Sequence, residues 1–183
     1  MCRITVFTPT YNRAYALPHL YETLQAQTFR DFEWLIVDDG SSDNTENLIQ
    51  GWIKDARLPI RHIKTPNGGK HRAINKGLAL AKGELFFIVD SDDWLPVDSL
   101  YWIDLYYSQI CSCEEFAGVA GSKCYPNGTK VGGDVTYDVL DTDNVSYREV
   151  HKIKGDMAEV WRTHVLRPVS YTHLRAHETT LHL

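Results

Sequence analysis

Three short apolar runs, residues 4–8 (ITVFT), 32–37 (FEWLIV) and 85–89 (LFFIV), each break off in a polar loop, with amphipathic segments between them. Such runs suit strands that are covered on both faces. The segments between them carry the helical period: Leu17, Leu20 and Leu24, then Leu48, Ile49, Trp52 and Ile53, then Ile74, Leu78 and Ala81. Residues 60–63 make a further short strand. Strand and helix in alternation dictate an α/β fold, a mainly parallel sheet with helices on both sides. Parallel strands share one C-terminal edge. The loops at residues 8–11, 38–39 and 90–93 are therefore expected to meet there, where open α/β sheets hold their ligands.

Local signals set the expected boundaries. Pro9 is expected to end the first strand, because it cannot donate to a ladder. Asp43 and Glu46 have the spacing of a capping box, and Lys82-Gly83 closes the third helix. Leu100, Ile103, Tyr107 and Ile110 mark a fourth helix, residues 116–120 a strand, and Asn127-Gly128 a hairpin turn. Asp141-Thr142-Asp143-Asn144 lacks the glycine and distal glutamate of a calcium loop and reads as a turn. A last helix is expected to open at Lys154-Gly155-Asp156, with Val160 and Trp161 packing.

The 183 residues suffice for one domain with a sizeable core. A net charge of −5 argues against a broad nucleic-acid-binding face. No long apolar run or leader segment is evident, so the chain reads as soluble and cytoplasmic, without a transmembrane segment and compatible with peripheral membrane association. Cys2, Cys111, Cys113 and Cys124 lack zinc-site spacing and read as reduced thiols.

The chemistry gathers at the strand ends. Asp90, Asp92 and Asp93 close the run at residues 85–89, and residues two apart in an extended strand project to one side. Clustered carboxylates repel one another unless a cation lies between them, and Mg²⁺ or Mn²⁺ prefers oxygen ligands. A solvated turn with an Asp N-cap is the plainer alternative. The helix that begins near Gly68, with Lys70, His71 and Arg72, forms a small anion site. It is no Walker A loop: Lys64 stands where glycine is required and no Ser or Thr follows Lys70. The first strand lacks G-x-G-x-x-G. Asp39 is placed to accept from a base N–H or simply to shape its turn, and Tyr11 to stack on a base or cover the sheet edge. Together these loops suit a nucleoside diphosphate.

TVFTPTYNRAYALPHLYETLQAQTFRDFEWLIVDDGSSDNT, followed by NGGKHRAINKGLALAKGELFFIVDSDDW, resembles the nucleotide-binding half of the family 2 glycosyltransferases. The resemblance implies a GT-A (Rossmann-like) three-layer sandwich around a mainly parallel mixed sheet. Residues 1–110 would form its nucleotide-sugar-binding half and residues 111–167 the start of its acceptor-side half. It also implies an inverting transferase of hexosyltransferase type that moves a sugar from a nucleoside diphosphate, most often UDP, to a hydroxyl of a saccharide or lipid-linked acceptor, as in bacterial polysaccharide or glycolipid synthesis. By position, Pro9 and Tyr11 frame the base, Asp39 bonds its edge, and Lys70 or Arg72 lies near the base or diphosphate. Asp90 and Asp92 match the DxD motif. Asp90 lies near the ribose, and the direct ligand of Mn²⁺ or Mg²⁺ is open between Asp92 and Asp93.

The same resemblance asks for a catalytic base, and the acidic motif that supplies it does not appear. Asp156 is the nearest acid, and it looks more like a substrate-contact or helix-cap residue. Residues 168–183 do not resemble the family and read as translated adapter sequence, so the natural gene is expected to continue past Arg167. His173 and His177 lack the glutamate of a zinc helix, Leu174 standing in its place. Two rival readings stand beside the transferase: a nucleotide-sugar-binding module without turnover, and a nucleotidyltransferase. The second usually carries a Gly-rich basic loop after the first strand, and Thr8-Pro9-Thr10-Tyr11-Asn12 is not one.

Overall fold

The computed structural model describes residues 2–132 and 138–169. One compact unit runs Met1–Val119 and resumes at Val160, and a second takes Ala120–Glu159. The strands are β1 (Ile4–Thr10), β2 (Phe32–Asp38), β3 (Ile60–Lys64), β4 (Leu85–Ile88), β5 (Gly118–Ser122) and β6 (Met157–Arg162). The helices are α1 (Leu17–Gln25), α2 (Thr45–Asp55), α3 (Lys70–Leu80), α4 (Ser99–Ile110), α5 (Asn144–Glu149) and α6 (Thr163–Leu166).

The sheet has the order β3-β2-β1-β4-β6-β5. β1 pairs in parallel with β2 and β4, β2 pairs in parallel with β3, and β6 runs antiparallel to β4. The chain thus builds outward from β1 on one side and then crosses to the other, so the order reverses between β1 and β4. That switch point is where an open sheet leaves a crevice beyond its strand ends.

Strand alternation sorts the core into two layers. Phe7, Leu35 and Val37 face α3, where Ala73, Ile74 and Leu78 are buried against them. Gly77 permits this approach: a Cβ there would lie 2.2 Å from the Phe7 ring. On the opposite face Trp34 stacks with Tyr21 of α1 and Trp52 of α2, at centroid distances of 6.2 and 5.8 Å. Its indole N–H, buried with it, donates to Thr8 Oγ1 at 3.0 Å, as a buried polar tip requires.

Several boundaries differ from expectation for physical reasons. Pro9 lies inside β1, paired in register with Val37, rather than ending the strand. Alternate residues of a strand point their backbone groups to opposite neighbours. Phe7 O accepts from Val89 N, so odd positions face β4, while Thr10 O accepts from Asp39 on the β2 side. The β4 ladder pairs no residue beyond Phe7, so Pro9 stands where no N–H is needed.

The helix expected from Lys154 is instead β6, with Phe86 opposite Trp161 and Phe87 opposite Val160. The vacant side of β4 decides this stretch, because ladder pairing overrides weak local preference. β5 starts at Gly118, not residue 116. There the backbone passes so close to Val160 O that a Cβ would lie 2.0 Å from it. The expected capping box does not form, since Glu46 is bonded to Lys64 at 2.8 Å.

In the second unit, Tyr125 N donates to Thr129 O at 2.8 Å, and Gly128 adopts φ 82°, as the Asn127-Gly128 hairpin requires. The turn at Asp143 proves to be a helix start. Asp143 Oδ1 accepts from Val145 N and Ser146 N, both at 2.9 Å, and so caps α5. The expectations for residues 170–183, including His173 and His177, lie outside the described residues.

Candidate nucleotide and metal site at the carboxyl edge of the sheet

The first two loops of this edge are laced to each other. Asn12, held at φ 53°, accepts on Oδ1 from Ser42 N at 2.8 Å and Asp43 N at 3.3 Å. Its own N–H donates to Ser41 Oγ at 2.8 Å, and Arg13 N donates to Thr45 Oγ1 at 3.2 Å. Asp43 returns the link by accepting from Ala14 N at 3.1 Å and Thr45 N at 3.0 Å. Burial alone would raise the Asp43 carboxyl, but these bonds outweigh it and hold it below the usual carboxylate range. Short polar side chains that bond neighbouring backbone fix loops in this way. Asn12 and Ser41 were not singled out in the sequence, and Asp43 was read there only as half of a capping box with Glu46.

The adjacent carboxylates at the end of β2 go opposite ways. Asp38 turns to the α2 face and accepts from Ser41 N at 2.8 Å. Asp39 turns to the α3 face, where its two oxygens accept from Gly68 N at 2.8 Å and Gly69 N at 2.7 Å. The N–H groups of these two glycines, expected to receive an anion, are therefore bonded to Asp39. A carboxylate has about four acceptor positions, so Asp39 retains capacity for another donor. Arg72 folds back over Gly68, where a Cβ would lie 2.8 Å from its Cδ. Tyr11, just past β1, is exposed.

Across the switch point, β4 ends at Ile88 and the aspartates lie in a turn closed by Asp93 N donating to Asp90 O at 3.0 Å. The turn, rather than a continuing pleat, arranges them. Asp90 pairs with Lys70 at the start of α3, at 2.6 Å through Oδ1 and 2.9 Å through Oδ2. Asp92 faces Arg13 at 3.9 Å and its side chain is 58% exposed. Arg13, a cation that sequence spacing did not single out, thus joins Lys70 beside the carboxylates.

No group of three or more His, Cys, Asp or Glu side chains that would hold a metal converges among the described residues. The donor set does not fit a self-contained metal cage. It does fit a hard cation that takes one or two carboxylates and completes its shell with phosphate oxygens and water. Asp156, in the second unit, is bonded to Lys123 at 2.7 Å and is exposed. A cleft of about 340 Å³ lined by Asn75, Leu78, Ala79, Arg167 and Val169 involves none of these residues. Its cation, Arg167, bonds the carbonyls of Leu78 and Ala81.

This is the architecture of the GT-A fold. Staphylococcus aureus TarS 1–349 in complex with UDP superposes with a TM-score of 0.69 at 22% identity, over 91% of this chain and 48% of that one. The mannosyltransferase PcManGT from Pyrobaculum calidifontis, in complex with GDP-Man and Mn²⁺, gives 0.61 at 20% identity, over 91% and 46%. The family model for glycosyl transferase family 2 matches residues 5–102, and the chain belongs to that family. Glycosyltransferase GlyG of Streptococcus pneumoniae is 38% identical over 108 residues, 58% of this chain and 35% of that protein. The chain thus spans about a third of that relative's length. Among the described residues no helix is long and apolar enough to cross a membrane.

Proposed function

We propose that this chain carries the donor-binding site of an inverting glycosyltransferase that moves a sugar from a UDP-sugar to an acceptor hydroxyl. The observation that carries this reading is the Lys70 to Asp90 ion pair at the β1/β4 switch, beside the Asp39-braced start of α3. It puts a cation and a carboxylate side by side at the sheet's carboxyl edge, a pairing that suits a diphosphate and its counter-ion. Support also comes from TarS, solved with UDP, and PcManGT, solved with GDP-Man and Mn²⁺.

In this reading Tyr11 and Pro9 flank the base and Asp39 accepts from its N–H. Lys70 exchanges Asp90 for diphosphate oxygens, Arg72 and Arg13 add positive charge, and Asp90 turns to the ribose. Asp92 or Asp93 would hold Mg²⁺ or Mn²⁺, which supplies charge that offsets the leaving diphosphate. The acceptor hydroxyl attacks the anomeric carbon opposite the leaving group, so one displacement inverts that centre. A carboxylate takes the hydroxyl proton. We assign that base to no described residue, since Asp156 already pairs with Lys123.

The test is release of UDP from a panel of UDP-sugars with Mn²⁺ and a saccharide acceptor. Release from one member is expected. Consumption of a nucleoside triphosphate with pyrophosphate release would overturn the proposal in favour of a nucleotidyltransferase.

A further inference from the structure

Three buried polar atoms without a hydrogen-bond partner among the described residues, Thr10 Oγ1, Asp38 Oδ2 and His62 Nε2, lie on one face of the sheet at its carboxyl edge. Thr10 and Asp38 are register partners, so their side chains leave the sheet on the same side. His62, opposite Ile36, shares that face. His62 Nε2 is 3.9 Å from Asp38 Oδ2, and the two side chains are only 4% and 0% exposed. That gap is too long for a hydrogen bond and within the reach of one bridging water. Buried waters occupy such places when two to four polar groups surround them.

The ring's protons follow from its other neighbour. Gln50 Nε2 is 3.3 Å from His62 Nδ1, so the amide donates there and the ring proton is on Nε2, facing Asp38. Burial holds the ring below its ordinary value; Asp38 of β2 and Glu46 of α2 oppose this, while Lys64 of β3 adds to it. A neutral ring results at pH 7.

Asp38 in turn starts a relay. Its other oxygen accepts from Ser41 N, Ser41 Oγ accepts from Asn12 N, and Asn12 Oδ1 accepts from Ser42 N, each at 2.8 Å. This relay joins the loop that carries Tyr11 to the loop that begins at Asp39.

We propose that His62 is a positioning residue for the donor loops: its Nε2–H, through one buried water shared with Thr10, fixes Asp38 and with it the Ser41 and Asn12 relay. The proposal rests on the reading of this edge as the nucleotide site. The mechanism otherwise gives His62 no task.

The experiment uses the full chain and three readouts: ring ¹⁵N shifts against pH, amide exchange, and UDP titration. The natural protein is expected to show an Nε2–H ring that titrates below its ordinary value of 6.5. His62→Leu is expected to speed exchange at Ser41 and Asn12 and weaken UDP binding by about tenfold, while Leu35 keeps its protection. His62→Gln, which retains a donor, should stay within about threefold. An Nδ1–H ring, or a folded His62→Leu with unchanged exchange at Ser41 and Asn12, would overturn the proposal. Should His62→Leu fail to fold, the ring tautomer of the natural protein decides. If the natural protein binds no UDP, the nucleotide reading fails, and amide exchange still judges the relay.

Discussion

Two acidic pairs stand at the carboxyl ends of β2 and β4, the strands on either side of β1, and do opposite work. Asp38 ends β2 and Asp39 follows it, and they are 0% and 5% exposed. Asp90 and Asp92 follow β4, with side chains 40% and 58% exposed. The first pair accepts from backbone N–H groups of three residues, Ser41, Gly68 and Gly69. The second is paired, among the described residues, with the side-chain ends of Lys70 and Arg13. Bonds from fixed backbone build a structure, whereas ion pairs between half-exposed side chains contribute little to stability and exchange readily for a ligand. In sequence both pairs are clustered aspartates after an apolar run. The fold makes one a brace and leaves the other half-exposed, as the proposed donor site requires.

The contrast predicts a graded series, measured by denaturant unfolding beside UDP binding. Asp39→Ala should have the largest effect on stability, about 3 kcal/mol, because it leaves two helix-start N–H groups unpaired under cover. Asp38→Asn should cost about 1 kcal/mol, since its Oδ1 still accepts from Ser41 while its charge is lost. Asp92→Ala should change stability by less than about 0.5 kcal/mol while it removes the metal dependence of nucleotide binding. An Asp92→Ala variant that unfolds as readily as Asp39→Ala would erase the distinction between brace and ligand.

Much of this was legible in the chain itself. Apolar runs at residues 4–8, 32–37 and 85–89, with the short run at 60–63, pointed to four parallel strands with their polar ends together, since periodicity reports which faces are buried. What periodicity cannot report is which neighbour a strand finds. That is why β6 read as a helix, and why Pro9 read as a terminator although its missing N–H faces a ladder that has already ended. The candidate residues of this edge were named by type and order. Their bonding was hidden, because Asp39 meets Gly68 and Gly69 across some thirty positions and Asn12 reaches Ser42 across as many. His62 had no sequence signal beyond being a polar residue in a β-rich run.

The most direct test of the account is a calorimetric titration of UDP into the natural chain and into Asp92→Ala, each with and without Mn²⁺. The account predicts that Mn²⁺ tightens UDP binding to the natural chain by about tenfold or more and leaves Asp92→Ala at its metal-free affinity. Equal affinity for UDP in all four conditions would contradict it.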